Sequence, residues 1–318
     1  LSKLLEISEE YLTPDASPQF KERVKVSRLN RIGEILRIAG SDYKALKVEL
    51  ISKDGQIISL NMEMGENNRR RDNTPFEVNH FEDIGYLRIK SMVSLNDENS
   101  LISTISELKN KKGLIIDVRD NGGGLRDILL ELAPHFINKQ QGFVVGNVAQ
   151  LRTDNIFKNH NLSDRYLYRI DDEHFDEAMK VNLIAWSKEF SKNISLEDSL
   201  YSPDYFLYIE CHEKPYFSNT PTVILLNEGC YSATDIFLST FKEIDGVILI
   251  GTPSGGGSGR SRRYKLKNSL IEIKLSSIVS FQPNGSMYDG VGVAPDIEVS
   301  QSSISDVLKE TDSQLEFA

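Results

Sequence analysis

Residues Pro221-Thr222-Val223-Ile224-Leu225-Leu226 form a short apolar run that breaks at Asn227-Glu228-Gly229-Cys230-Tyr231 and resumes as Ser232-Ala233-Thr234-Asp235-Ile236-Phe237. The run has the length of a buried strand, and residues 232–237 read as the first turns of a helix. Ser232 therefore falls on a strand-to-helix turn, beside backbone N–H groups that have no intrahelical partner and beside the positive helix end. Two other strand ends share this form. Gly113 to Val118 reads as a strand that ends in Arg119-Asp120-Asn121-Gly122-Gly123-Gly124 before a helix, and Val247 to Gly251 ends in Thr252-Pro253-Ser254-Gly255-Gly256-Gly257. Strands alternating with helices, with glycine at the strand ends, predict an α/β core.

Outward from these segments, residues 84–89 read as a strand, 98–109 as an amphipathic helix and 125–137 as a helix. Residues 154–219 are an insertion rich in charge and tyrosine, the least regular part of the chain, with a helical stretch at 175–192 that includes Trp186. A closing β region runs over 264–299, with a hairpin turn at Asn284-Gly285. Near the start, helical patterns at 1–12 and 18–39 lead into strands 46–52 and 57–62 around Asp54-Gly55. The polar stretch 65–75 reads as a linker, which divides the chain into residues 1–76 and 77–318.

Composition excludes several functions. No apolar run approaches the ~18–20 residues that span a bilayer. A net charge of −10 argues against nucleic acid as the main partner. The basic clusters Arg69-Arg70-Arg71 and Arg260 to Arg263 read as solvated loops. The two cysteines, Cys211 and Cys230, define no disulfide framework, and Cys230 reads as a small buried apolar residue. No His-Xaa-Xaa-Xaa-His or Cys-Xaa-Xaa-Cys spacing points to a metal, and no cofactor is implied.

Each chemical reading has a plainer alternative. Ser232-Ala233-Thr234-Asp235 has the form of a capping box, in which the serine only caps its helix. One positive-φ turn needs one glycine, so the run Gly122–Gly124 points to close backbone approach to a ligand. A phosphate cradle would need a Gly-Lys-Ser/Thr or Gly-Xaa-Gly-Xaa-Xaa-Gly pattern, which is absent here. Bare glycine amides beside a serine nucleophile form an oxyanion hole. Gly255–Gly257 reads equally as a flexible loop, and Asp289 equally as a turn residue. Among the histidines, His135 reads as packing, His160, His174 and His212 lie in polar segments, and His80 is the remaining candidate base.

Asp-Xaa-Arg-Xaa-Asn-Gly-Gly-Gly at 117–124, Asn-Glu-Gly-Xaa-Xaa-Ser-Ala-Thr-Asp at 227–235 and the ending Gly290-Val291-Gly292-Val293-Ala294-Pro295-Asp296 stand in an order that resembles the carboxy-terminal processing (tail-specific) serine peptidases from about residue 80 to 300. The resemblance implies a crotonase/Clp-like ββα spiral core, preceded over 1–76 by part of a PDZ-like α+β domain. It implies a serine endopeptidase acting on extended or unfolded polypeptide, in a periplasmic or extracellular setting. Ser232 would be the nucleophile, with amides of Gly122, Gly123 and Ala233 holding the oxyanion.

The departures from the pattern define the open point. Many of these peptidases carry a lysine base twenty-five residues after the serine, where this chain has Gly257. Arg260 is the nearest cation and stays protonated. The chain is more similar to the tricorn-like branch, which uses a histidine held by a carboxylate, and Asp289 falls at that carboxylate position. In that branch the histidine lies far upstream in a helical cap, so the general base is expected ahead of Leu1 and the chain alone is expected to be weakly active. Two other readings stand beside this one: a catalytically inactive peptide-binding scaffold of the same fold, and a crotonase-like acyl-thioester enzyme.

Overall fold

The structure is a computed structural model that describes residues 18, 19, 21, 24, 45–51, 55–63, 74–95, 101–153, 161–300 and 311–318. Strands β1 (Ala45–Ile51) and β2 (Ile57–Glu63) form an antiparallel hairpin with Gly55 at positive φ in its turn. The N-terminal helices expected at 1–12 and 18–39 lie outside the described residues, apart from helical positions 18, 19, 21 and 24. So does Arg69-Arg70-Arg71.

The larger unit begins at β3 (Phe76–Phe81) and β4 (Ile84–Ile89), followed by a short helix Leu101–Ile105 and β5 (Gly113–Asp117). Helix Asp127–Leu132 leads to β6 (Phe143–Leu151), β7 (Tyr168–Arg169), helix Glu177–Ser187 and β8 (Tyr205–Glu210). Strand β9 (Thr222–Leu226), helix Ala233–Lys242 and β10 (Val247–Gly251) come next. The chain closes with β11 (Ser261–Lys265), β12 (Glu272–Ser276), β13 (Ile278–Phe281), β14 (Ile297–Glu298) and helix Ser313–Phe317.

The main sheet has the order β14-β10-β9-β5-β4-β3, parallel except for the β3 edge. A second sheet, β13-β6-β8-β7, is antiparallel. Helix Ala233–Lys242 touches both β10 and β6, and residues 233–241 are all buried. A helix covered on both sides needs close backbone approach. Gly146 on β6 supplies it, because a Cβ there would overlap the Thr240 side chain.

The strands expected at 84–89, 113–118, 221–226 and 247–251 are present within a residue. Two helices are shorter than their sequence patterns, and the one expected at 98–109 passes into a 3₁₀ turn after Ile105. The 125–137 helix stops at Leu132, where Pro134 cannot supply an N–H and the chain tightens into a 3₁₀ turn, Ala133–His135. Helix Glu177–Ser187 begins where Asp176 accepts the Met179 amide. Strands β3, β6, β7 and β8 are additions to the sequence pattern. β6 is buried almost throughout and so lacks the alternation that marks a strand.

The parallel strands end together, and an ion network holds that end. Asp117, fully buried at the end of β5, accepts from Tyr86 Oη at 2.9 Å, Arg88 Nη1 at 2.5 Å and Arg119 Nη2 at 2.6 Å. Arg119 in turn pairs with Asp312 at 2.7 Å, which fastens the C-terminal helix beside the glycine turn. Away from this end, His135 stacks on Tyr216 at 4.2 Å, with His212 and Lys109 near it.

Burial, with His212 and Lys109 close by, lowers the His135 pKa from 6.5 to about 4. Between those values the unfolded chain binds a proton that the folded chain refuses, so stability falls as pH drops through this window. Urea midpoints at pH 7 and pH 5 should show the loss, and His135→Phe, which keeps the stack, should flatten it.

Candidate active site

Ser232 follows β9 and opens helix Ala233–Lys242 with φ 62° and ψ −117°, a conformation that costs a non-glycine residue strain. Its side chain makes no cap bond, so only half of the capping box forms. Asp235 accepts the Ser232 backbone N–H, and the hydroxyl is left free of helix duty. The capping side chain is thus the aspartate rather than the serine that the sequence suggests.

Two asparagines join the serine turn to the glycine turn. Asn227 Oδ1 accepts the amides of Asp120 at 2.9 Å and Gly229 at 3.0 Å, and its Nδ2 donates to Asp120 at 3.0 Å. Asn121 donates through Nδ2 to Ile89 O, while its own carbonyl accepts the Tyr231 amide at 3.1 Å. Gly123 is pressed against the serine: a Cβ on it would lie 2.8 Å from Ser232 Cβ and 2.9 Å from the Ala233 nitrogen, at φ +92°. Gly124, at φ +150°, would overlap the Met92 carbonyl. Of the three glycines only Gly122 faces open space.

Of the three amides named from sequence, that of Gly123 is engaged, donating to Asn121 Oδ1 at 3.0 Å. Among the described residues the amides of Gly122 and Ala233 have no hydrogen-bond partner. One lies just ahead of Gly123 and the other directly after Ser232.

The third strand end is a buried loop rather than a flexible one, with residues 254–258 all covered. Asp235, itself fully buried, accepts from Ser254 Oγ at 2.5 Å, Gly257 N at 3.1 Å and Gly256 N at 3.3 Å. Burial raises its pKa to about 7, against the pull of these donors. Asp289 accepts the amides of Ser258 and Gly259, and burial raises its pKa. It also lies close enough to Tyr231 to help raise the phenol's pKa, after burial and ahead of Asp235. From the start of the chain, Gln19 Nε2 donates to Ser254 O at 3.2 Å and Val291 O at 2.7 Å.

Gly257 lies under the Tyr231 ring, so a Cβ at this position would overlap the phenol. The space into which a residue 257 side chain would project is filled by Tyr231. His80 is on β3 opposite Gly85, near the start of parallel strands β4 and β5, whereas Ser232 and the glycine turn are at the strand ends. Its partner is Glu107 at 3.8 Å. His135, His174 and His212 are held in aromatic stacks. No histidine or lysine among the described residues is bonded to the Ser232 hydroxyl. Cys230 is buried, with its thiol on the Val118 carbonyl at 3.1 Å, and burial pushes its pKa well up, which removes it as a nucleophile.

A strained serine between a strand and a helix, with free amides beside it, belongs to a mixed α/β peptidase fold. The model of Peptidase family S41 matches residues 83–299, more than half of the chain, and the chain belongs to that family. A carboxy-terminal-processing protease of Bartonella bacilliformis is 24% identical over 226 residues, 69% of this chain and 39% of that protein. Carboxy-terminal processing protease CtpB of Bacillus subtilis is 21% identical over 305 residues, 90% of this chain and 52% of that protein. This chain therefore spans about half or less of the curated relatives it matches. A putative peptidase from Parabacteroides merdae superposes with a TM-score of 0.54 at 22% identity, over 76% of this chain and 62% of that one. Mature CPAF in complex with lactacystin gives 0.50 at 18%, over 86% and 52%.

The overlap at residue 257 gives a non-additive prediction. Gly257→Lys alone should destabilise by ~1–3 kcal/mol through overpacking, and Tyr231→Ala in the same chain should restore most of that loss. Urea denaturation of the two single variants and the double variant reads the coupling. Gly122→Ala, whose Cβ meets open space, should fold normally, while Gly123→Ala should not.

Proposed function

We propose that the chain carries the catalytic unit of a serine endopeptidase that cleaves extended or unfolded polypeptide. The observation that carries the reading is Ser232 at φ 62°, with its hydroxyl unused by the helix and the partnerless amides of Gly122 and Ala233 beside it. The S41 membership and the processing-protease relatives support it. Ser232 Oγ attacks the scissile carbonyl while its proton passes to a base, and the two amides hold the oxygen that gains charge. Collapse breaks the C–N bond, the base returns the proton to the leaving amine, and water then releases the acyl group by the reverse order of steps. In this reading the base is a histidine supplied from outside these 318 residues, oriented by Asp289. Residues 1–76 supply part of a PDZ-like peptide-binding domain.

A non-catalytic scaffold is the second reading, favoured by Tyr231 over Gly257 and by the lack of a base bonded to Ser232 among the described residues. Full-length protein should react with a fluorophosphonate probe and cleave an unfolded substrate, and Ser232→Ala should abolish both. Equal turnover by the variant, or no labelling of the parent protein, would leave the scaffold. The 318-residue chain alone should turn over ~10²–10⁴-fold more slowly than a protein that contains its base.

A further inference from the structure

Arg126 follows the glycine turn at the start of helix Asp127–Leu132 and is only 4% exposed. A buried guanidinium is ordinarily matched by a carboxylate, as Arg119 is by Asp117 and Asp312. Arg126 has no ion pair among the described residues. It donates instead to two neutral acceptors, Arg165 O at 2.7 Å and Asn147 Oδ1 at 3.0 Å, and its Nε is buried without a partner. Burial, then the Arg165 charge, pulls its pKa down to about 9, so it is still a cation at neutral pH.

Three more arginines gather here. Arg165 repels Arg126, and both Arg165 and Arg262 repel Arg260. Among the described residues the carboxylate that acts on Arg126 and Arg260 is Asp164, itself bonded to Arg260 at 2.6 Å. Arg260 places its other Nη on Asn161 O at 2.7 Å, and its side chain is 13% exposed. Arg262 is half-buried, with a second Nε that lacks a partner. The run from Arg260 to Arg263, read from sequence as a solvated loop, is thus partly packed into the protein. Four cations share one acid, and like charges held together away from water repel one another unless an anion joins them.

The cluster adjoins two walls of the candidate active site. Arg126 is three residues after Gly123, which packs against Ser232, so its Cα lies within ~11 Å of that glycine's. Arg260 directly follows Gly259, whose amide Asp289 accepts, and Tyr288 beside Asp289 acts on Arg126. An extended substrate covers such a distance in about three residues.

We propose that Arg126, Arg165, Arg260 and Arg262 form an anion subsite of the substrate groove, which takes the carboxylate of a Glu or Asp side chain close to the scissile bond. The proposal rests on the peptidase reading above and names its substrate class. Guanidinium groups bind carboxylates through charge-assisted, often paired hydrogen bonds, and the two partnerless Nε atoms are donors still to be used. Arg165 and Arg262, both half-buried, line the entry, and Arg126 supplies unpaired charge deeper in. Because Arg126 and Arg260 are sunk below the surface, the anion has to arrive on a side chain that reaches in from the main chain. A terminal carboxylate, fixed to the main chain, would stop at Arg165 and Arg262.

The test uses full-length protein with Ser232→Ala, so binding is read without cleavage. The probes are fluorescein-labelled peptides of about ten residues, long enough to reach well beyond the cluster on either side. They are otherwise neutral and amidated at the C-terminus, and a single Glu or a single Gln is moved along them. At one or two positions Glu should bind at least about tenfold more tightly than Gln. The double variant Arg165→Gln, Arg262→Gln should abolish that preference, and because both positions are half-buried the thermal melt should hold. Arg126→Met, accepted only with a cooperative melt, should also weaken Glu binding and leave Gln binding unchanged. Equal binding of Glu and Gln at every position would overturn the proposal. So would a preference that survives the double variant, or one that follows a free C-terminal carboxylate on a neutral peptide instead of the Glu side chain. Failure of the parent protein to label with the fluorophosphonate probe, with the Glu preference intact, would instead remove the peptidase reading and leave the anion subsite.

Discussion

The Asp235 carboxylate holds the site together. Buried in the first turn of its helix, it accepts the Ser232 amide, the Ser254 hydroxyl and the amides of Gly256 and Gly257. Each donor comes from a segment that would otherwise leave a polar group buried without a partner, at ~1–3 kcal/mol apiece. One side chain therefore fixes both the loop after β10 and the strained serine ahead of the helix. The desolvation that raises its pKa to about 7 is the cost of placing an anion there, and it is borne because four donors converge on it.

The glycine turn is fixed by different means. Asn121 and Asn227 stitch it to the serine turn through side-chain and backbone bonds, and the Asp117–Arg119–Asp312 network holds the strand end from beneath. Gly123 then lies so near Ser232 that any side chain would push the two turns apart. Amides held this rigidly need no reorganisation when charge develops beside them, the condition under which hydrogen-bond donors stabilise a transition state most. The free amides of Gly122 and Ala233 are what this packing leaves over.

Tyr231 and Gly257 form a matched pair. The phenol end of the ring lies against the glycine, so a side chain at residue 257 would have to displace the tyrosine. The loop that begins there continues through the amides held by Asp289 into the β11–β12 ribbon. The loop held by Asp235 beside the serine turn thus continues directly into the β11–β12 ribbon.

The sequence by itself determined the strands that end at the site, because β5, β9 and β10 are short apolar runs closed by glycine or a turn. It also determined the order of Gly122, Ser232 and Asp289 along the chain and the resemblance to processing peptidases. Strand β6 was illegible because burial on both faces erases the alternation that marks a strand, and β8 because it lies within a polar insertion. Only the tertiary structure decided the division of labour within the capping box. A sequence shows that Ser232 and Asp235 are three residues apart, but not that φ 62° turns the hydroxyl away while the carboxylate reaches back. It also decided which glycine amides are free, since Gly122, Gly123 and Gly124 are identical in composition and differ only in what packs against them. Spacing records neighbours along the chain, whereas steric contact is set by the fold, which brings Met92 against Gly124 and Ser232 against Gly123.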